Sequence, residues 1–173
     1  HLSIRRQRQM CIRDSYKPDM VPQEAIDKIL EAGTYAPTGS GRQSPIIIAV
    51  TNKEMRDKLS AMNAKVMGKE GDDPFYGAPV VLVVLADKSK STYLYDGSLV
   101  MGNLMLAAYD QGLGSCWIHR AKEEFESEEG KAILRELGIE GDYEGIGHCV
   151  LGYAAQPLPA PSPRKDHYVY YIK

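Results

Sequence analysis

The sequence predicts an α/β sandwich, a central mixed sheet flanked by helices, and three observations carry that expectation. Two continuous apolar, β-branched runs, residues 45–50 and 79–86, read as strands, the second covered on both faces. Segments with apolar residues at helical spacing lie around and between them, so helix and strand alternate along the chain. The length of 173 residues fits one domain that buries a core without a disulfide or metal staple.

Residues 1–15 stand apart. They carry Arg5, Arg6, Arg8 and Arg13 in a Gln-rich run with no helical or strand period, and they join poorly to the segment beginning at Tyr16. This stretch is expected to be disordered or foreign to the domain, which occupies residues 16–173. A first helix starts at Pro22, whose missing N–H costs nothing in a first turn. Ala25, Ile26, Ile29, Leu30 and Gly33 form its apolar face, and Gly33 and Pro37 mark its stop. A second helix over 53–67 places Met55, Leu59, Met62 and Val66 on one side. A third, over 93–111, is apolar nearly all round, with Leu94, Leu99, Val100, Met101, Leu104, Met105 and Leu106. Such a helix is buried on every side, and in a chain this short one side is expected to face a second subunit. Residues 115–119 and 147–153 read as strands, and 123–137 as one amphipathic helix ended by Gly138. A Pro-rich arm, 154–165, then leads to a terminal strand, His-Tyr-Val-Tyr-Tyr-Ile-Lys at 167–173. The arm prevents a short hairpin and lets that strand reach a distant edge, including one on a partner.

Several function classes are excluded at this level. A net charge of -2 gives no basic face for nucleic acid. No apolar run approaches the ~18–20 residues that span a bilayer, so no membrane partner is expected. Cys11, Cys116 and Cys149 are odd in number and lack metal-ligand spacing, which together with the absence of a secretory leader pattern points to free thiols in the cytoplasm. His119, His148 and His167 form no i, i+4 pair, so no metal site is expected. Phosphate-loop and nucleophile-elbow motifs are absent, and Gly112-Leu113-Gly114 leads into a strand, not into the helix that a dinucleotide fingerprint requires.

Three segments hold the candidate chemistry. Between a helix end and a buried strand, Thr38 and Ser40 offer hydroxyls, Gly39 and Gly41 permit close approach of backbone, and Arg42 and Gln43 offer planar donors. Such a loop can line a flat polar ring edge or an anion, and the same residues equally make a helix stop and turn. In Gly114-Ser115-Cys116-Trp117, the tryptophan reads as core packing and Cys116 as a small buried hydrophobe with no adjacent base. Arg164 and Lys165, after the arm, either clamp a phosphate or form a solvated basic turn.

In order and spacing, the segments 16–45, 96–120 and 147–165 together resemble the short bacterial members of the FMN-dependent nitroreductase family, and the resemblance runs from Tyr16 to Lys173. It implies a nitroreductase-like fold whose C-terminal arm is exchanged in a homodimer. FMN would lie at the dimer interface, with NAD(P)H as donor and a nitroaromatic, quinone or related small molecule as acceptor, in a ping-pong exchange. Carried over, Thr38, Gly39, Ser40, Gly41, Arg42 and Gln43 lie along the isoalloxazine ring, with Arg42 as a donor tuning the reduced ring. Asn63 matches an amide that contacts the ring; Gly114, Ser115 and Cys116 pass over it; Arg164 and Lys165 match the basic pair near the FMN phosphate. The chain departs from the family at Gly41, where Asn is frequent. It departs also at 10–14, where a basic Arg-Arg-Ser start is replaced and only Arg13 lies near a cation position. No side-chain nucleophile is implied, because a flavin carries the chemistry. The pattern leaves open a flavin-binding or flavin-processing module of the same fold without NAD(P)H turnover.

Overall fold

Strand β2 (Val80–Asp87) sets the architecture, because both of its faces are covered. Val81, Val83 and Leu85 enter one apolar cluster, and Val80, Leu82, Val84 and Ala86 the other, which is why the run shows no polar alternation. The computed structural model describes residues 15–157 and 163–173. Around β2 lie α1 (Gln23–Thr34), β1 (Pro45–Val50), α2 (Lys53–Met67), α3 (Tyr93–Asp110), β3 (Gly114–Ile118), α4 (Ala121–Glu126), α5 (Glu128–Glu136) and β4 (Tyr143–Gly152). The strand order is β1-β2-β4-β3. Helices α1 and α3 cover one face through Ile26, Ile29, Met101 and Leu104; α2, α4 and α5 cover the other through Leu59, Phe125 and Ile133.

The α/β sandwich is as expected, but the pairing differs: among the described residues all three strand pairs are antiparallel. The reason lies in residues 68–79, which have no periodic signal in sequence. Gly68 ends α2 in the left-handed region, and the chain then turns around Asp73 before entering β2. Asp73 accepts hydrogen bonds from Arg56 Nη2 (2.5 Å), Ser60 Oγ (2.6 Å) and the Gly77 amide (2.7 Å), so this connection is fixed and returns β2 antiparallel to β1.

Two helix boundaries also move. The helix expected over 123–137 is two helices, because Ser127 is extended (ψ 160°) and caps α5, its hydroxyl accepting from the Gly130 amide at 3.1 Å. Gly33 is the crossing point of α1 with α3: a Cβ there would lie 2.6 Å from Leu104 Cδ2, and α1 continues to Thr34. The terminal strand expected at 167–173 pairs with no strand among the described residues, and Tyr170, Tyr171 and Ile172 are exposed.

Candidate functional site

The loop between α1 and β1 holds two of the left-handed non-glycine residues found among the described residues. Ser40 (φ 55°) and Gln43 (φ 48°) are non-glycine residues in the left-handed region, beside Gly41 at φ 64°. Each costs about 1–2 kcal/mol of local strain. What holds them is Asp96, in the first turn of α3, a residue that no sequence pattern singles out. Its carboxylate is buried and accepts from the Gly39 amide (2.9 Å), Ser44 Oγ (2.7 Å) and Thr92 Oγ1 (3.0 Å). Burial pushes its pKa up, but the three hydrogen bonds outweigh that and hold the carboxyl below its ordinary value. Thr38 Oγ1 closes the loop by accepting from the Gln43 amide at 3.1 Å. Gly39 is sterically required, since a Cβ would sit 2.3 Å from Thr92 Oγ1.

The result is a rigid turn over a cleft of about 350 Å³. Thr38 and Gln43 form its polar rim, and Leu30, Ile46, Ile47 and Val100 its apolar wall. Ser40, Gly41 and Arg42 are exposed above it. An apolar wall with a few fixed polar groups at one rim suits a flat heteroaromatic ring.

The other candidates lie elsewhere. Gly114, Ser115 and Cys116 are buried in β3, and Ser115 Oγ has no hydrogen-bond partner. Gly114 is level with Gly152 on β4, whereas the loop precedes Pro45, which is level with Ala86 and, across β2, with Glu144. The two segments are therefore separated by eight residues along β4, at ~3.4 Å each, and by three strand spacings, at ~4.8 Å each. One chain does not bring them together; a site using both needs two chains. Trp117 packs over Gly147, where a Cβ would lie 2.3 Å from its Nε1, as core packing requires. Burial pushes the Cys149 thiol up to about 12, so it is no nucleophile at neutral pH.

Asn63 is fully buried in a polar cluster. Its amide donates to the His119 carbonyl (2.8 Å) and to Glu124 Oε1, and its Oδ1 accepts from Arg120 Nε (2.9 Å). Both N–H groups are thus spent within the chain, and a ring contact from this amide requires one of those bonds to be given up. Glu124 Oε2 lies 3.2 Å from His148 Nε2, both side chains fully buried. Arg164 and Lys165 are exposed, with Lys165 Nζ 5.3 Å from the centre of the Tyr168 ring. Arg13 lies outside the described residues.

The fold is a layered α/β sandwich with a rigid, polar-rimmed cleft at one end of its sheet. The sequence profile of the nitroreductase family matches residues 6–153. An inferred NADH dehydrogenase/NAD(P)H nitroreductase of Archaeoglobus fulgidus is 31% identical over 158 residues, covering 88% of this chain and 82% of the relative. A nitroreductase with bound FMN from Bacteroides fragilis superposes with a TM-score of 0.87 at 24% identity, covering 99% and 97% of the two chains, which shows the fold. An FMN-dependent nitroreductase from Clostridium difficile gives 0.79 at 28% identity, with 98% of each chain covered. The chain belongs to the nitroreductase family, a family of oxidoreductases. No helix among the described residues is long and apolar enough to cross a membrane.

Proposed function

We propose that the protein is a homodimeric FMN-dependent oxidoreductase that uses NAD(P)H to reduce nitroaromatic, quinone or related small acceptors. The observation that carries this reading is the Asp96-braced loop over its cleft, on a chain of this family. Bound FMN would supply hydride transfer in two half-reactions, the donor leaving before the acceptor enters. The chain's own residues bind and orient. Thr38, Gly39, Ser40, Gly41 and Gln43 present hydroxyl, amide and backbone groups along the ring edge, held by Asp96. Arg42, exposed beside them, is the donor placed to offset negative charge on the reduced ring. Gly114, Ser115 and Cys116 approach from the other chain's side, and the unpaired Ser115 hydroxyl is a buried donor still in need of an acceptor. Asn63 braces the β3–α4 corner, and Arg164 and Lys165, with Arg13 where it can reach, carry positive charge for the phosphate.

The dimer is supported by what a monomer leaves wet. Leu94, Tyr95, Leu99 and Leu106 on α3 are 46–73% exposed, and Gly102 between them has no atom within 4 Å of a built Cβ, leaving room for a second backbone to approach. Residues 167–173, which pair with no strand among the described residues, add to the partner in this arrangement.

Equilibrium dialysis and anaerobic mixing with NADPH test the reading together. The protein should retain about one FMN per chain and bleach on mixing. A protein that retains FMN without bleaching is a flavin-binding module, and one that retains none is neither. Arg164→Ala should weaken FMN by about 1.5–3 kcal/mol, the worth of a charge-assisted bond, and Arg135→Ala, on the surface of α5, should not.

A further inference from the structure

Arg120 occupies an unusual position for a cation. It stands between β3 and α4 at φ 79°, a backbone conformation in which glycine is relaxed and arginine is strained. Its side chain is half-buried and pinned at Nε by Asn63 Oδ1, itself locked to the His119 carbonyl and Glu124. Among the described residues, the four remaining N–H groups of its guanidinium have no acceptor. The nearby carboxylate of Glu124 does not serve: one oxygen is taken by Asn63 and the other faces His148. A guanidinium held still at Nε, with Nη1 and Nη2 open to water and unpaired among the described residues, presents its fork to an incoming anion.

The corner lies at the same end of the sheet as the strained loop, on the face covered by α2, α4 and α5, whereas the cleft lies on the face of α1 and α3. A Cβ on Gly145 would touch the Ala121 carbonyl at 2.2 Å, and Gly145 is level with Leu85 and so with Ile46 at the start of β1. Exposed His119 opens the corner to solvent.

We propose that Arg120 is an oxyanion-binding residue, its Nη1 and Nη2 fork receiving a carboxylate or phosphate carried by a substrate. A planar fork with fixed orientation matches a two-oxygen anion and discriminates against neutral isosteres. The inference rests on the oxidoreductase reading and names the substrate chemistry its site selects. Two sources share that chemistry: a carboxylate on the electron acceptor and a phosphate on the nicotinamide donor.

Calorimetric titration of the FMN-loaded protein separates them without turnover. Benzoate and adenosine 2′-phosphate are the probes, with benzamide and adenosine as neutral counterparts. Arg120→Gly removes the fork and relaxes the backbone, so the fold is favoured, and Arg120→Lys retains charge without the fork. The wild type should bind at least one anion more tightly than its neutral counterpart. Arg120→Gly should raise that Kd at least tenfold, with Arg120→Lys between. Loss for benzoate alone assigns the acceptor's carboxylate, and loss for adenosine 2′-phosphate alone the donor's phosphate. An anion Kd that is the same in wild type and both variants overturns the proposal, as does a wild type that binds neither anion. NADPH bleaching of the wild type is scored separately: its failure strikes the oxidoreductase reading, and the titration alone strikes Arg120.

Discussion

Asp96 shows how one residue fixes a generic turn in a strained conformation. Thr38, Ser40 and Gln43 have the composition of any loop, and their strained conformations persist because one buried carboxylate takes a backbone and two hydroxyl hydrogen bonds. Asp96→Asn keeps the size but exchanges one charged oxygen for an amide, so it should destabilise by about 1.5–3 kcal/mol at neutral pH in urea unfolding. The sign with pH comes from the lowered native pKa. The wild type's extra stability should be full above about pH 4, near the unfolded carboxyl's value, and should vanish as pH falls through the lower native value. A difference between the two proteins that grows toward low pH would show that Asp96 does not hold the loop as an anion. The candidate residues in this loop were legible in the sequence because glycines and hydroxyls cluster there; their brace was not, because it lies 52 and 57 residues away from Ser44 and Gly39 on another element.

At the scale of elements, two glycines of the α4–α5 pair do different work. Gly138, after α5, is at φ 68° with open space where a Cβ would sit, so Gly138→Ala should cost about 1 kcal/mol of backbone strain. Gly130, inside α5, has ordinary helical geometry, but a Cβ would fall 2.2 Å from the Glu124 carbonyl oxygen and 2.6 Å from Phe125 Cα. Backbone atoms cannot step aside, so Gly130→Ala should cost about 3 kcal/mol and open the corner that Ser127 forms. Urea midpoints for the two variants check this, and equal losses would mean that α4 and α5 have no fixed packing. The sequence foretold a C-terminal stop at Gly138 and passed over Gly130. A left-handed stop is a local property, whereas a clash with the preceding helix exists only once both helices are placed.

For the molecule as a whole, the prediction concerns the arm. Tyr168, Val169, Tyr170, Tyr171 and Ile172 are 59–105% exposed, an apolar run that a stable protein covers. The outer edge of β1, which pairs with no strand among the described residues, and the apolar outer stripe of α3 supply surfaces for covering it in a second copy. Deleting residues 168–173 removes almost nothing from the chain's own core. The truncated protein should therefore keep its helical signal while light scattering reports monomer and the FMN Kd rises at least tenfold. A truncated protein that remains dimeric with unchanged FMN affinity would place the interface, and the flavin site, independently of the arm.

The sequence by itself determined what depends on neighbours along the chain. Helix periodicity, the doubly covered β2, the glycine- and hydroxyl-rich loop, the break before β1 and the apolar excess of α3 are all local patterns. Only the tertiary structure decided what depends on where those elements meet. The antiparallel direction of β2 is set by the Asp73 turn, and the division of 123–137 into two helices by Ser127 and Gly130. The engagement of Asn63 with Arg120 and Glu124, and the separation of Gly114–Cys116 from Thr38–Gln43, likewise arise from sheet order. The physical reason is the same throughout: propensity and periodicity act over a few residues, whereas hydrogen bonds to buried carboxylates and contacts at glycines join residues far apart in the chain, and no local pattern encodes their meeting.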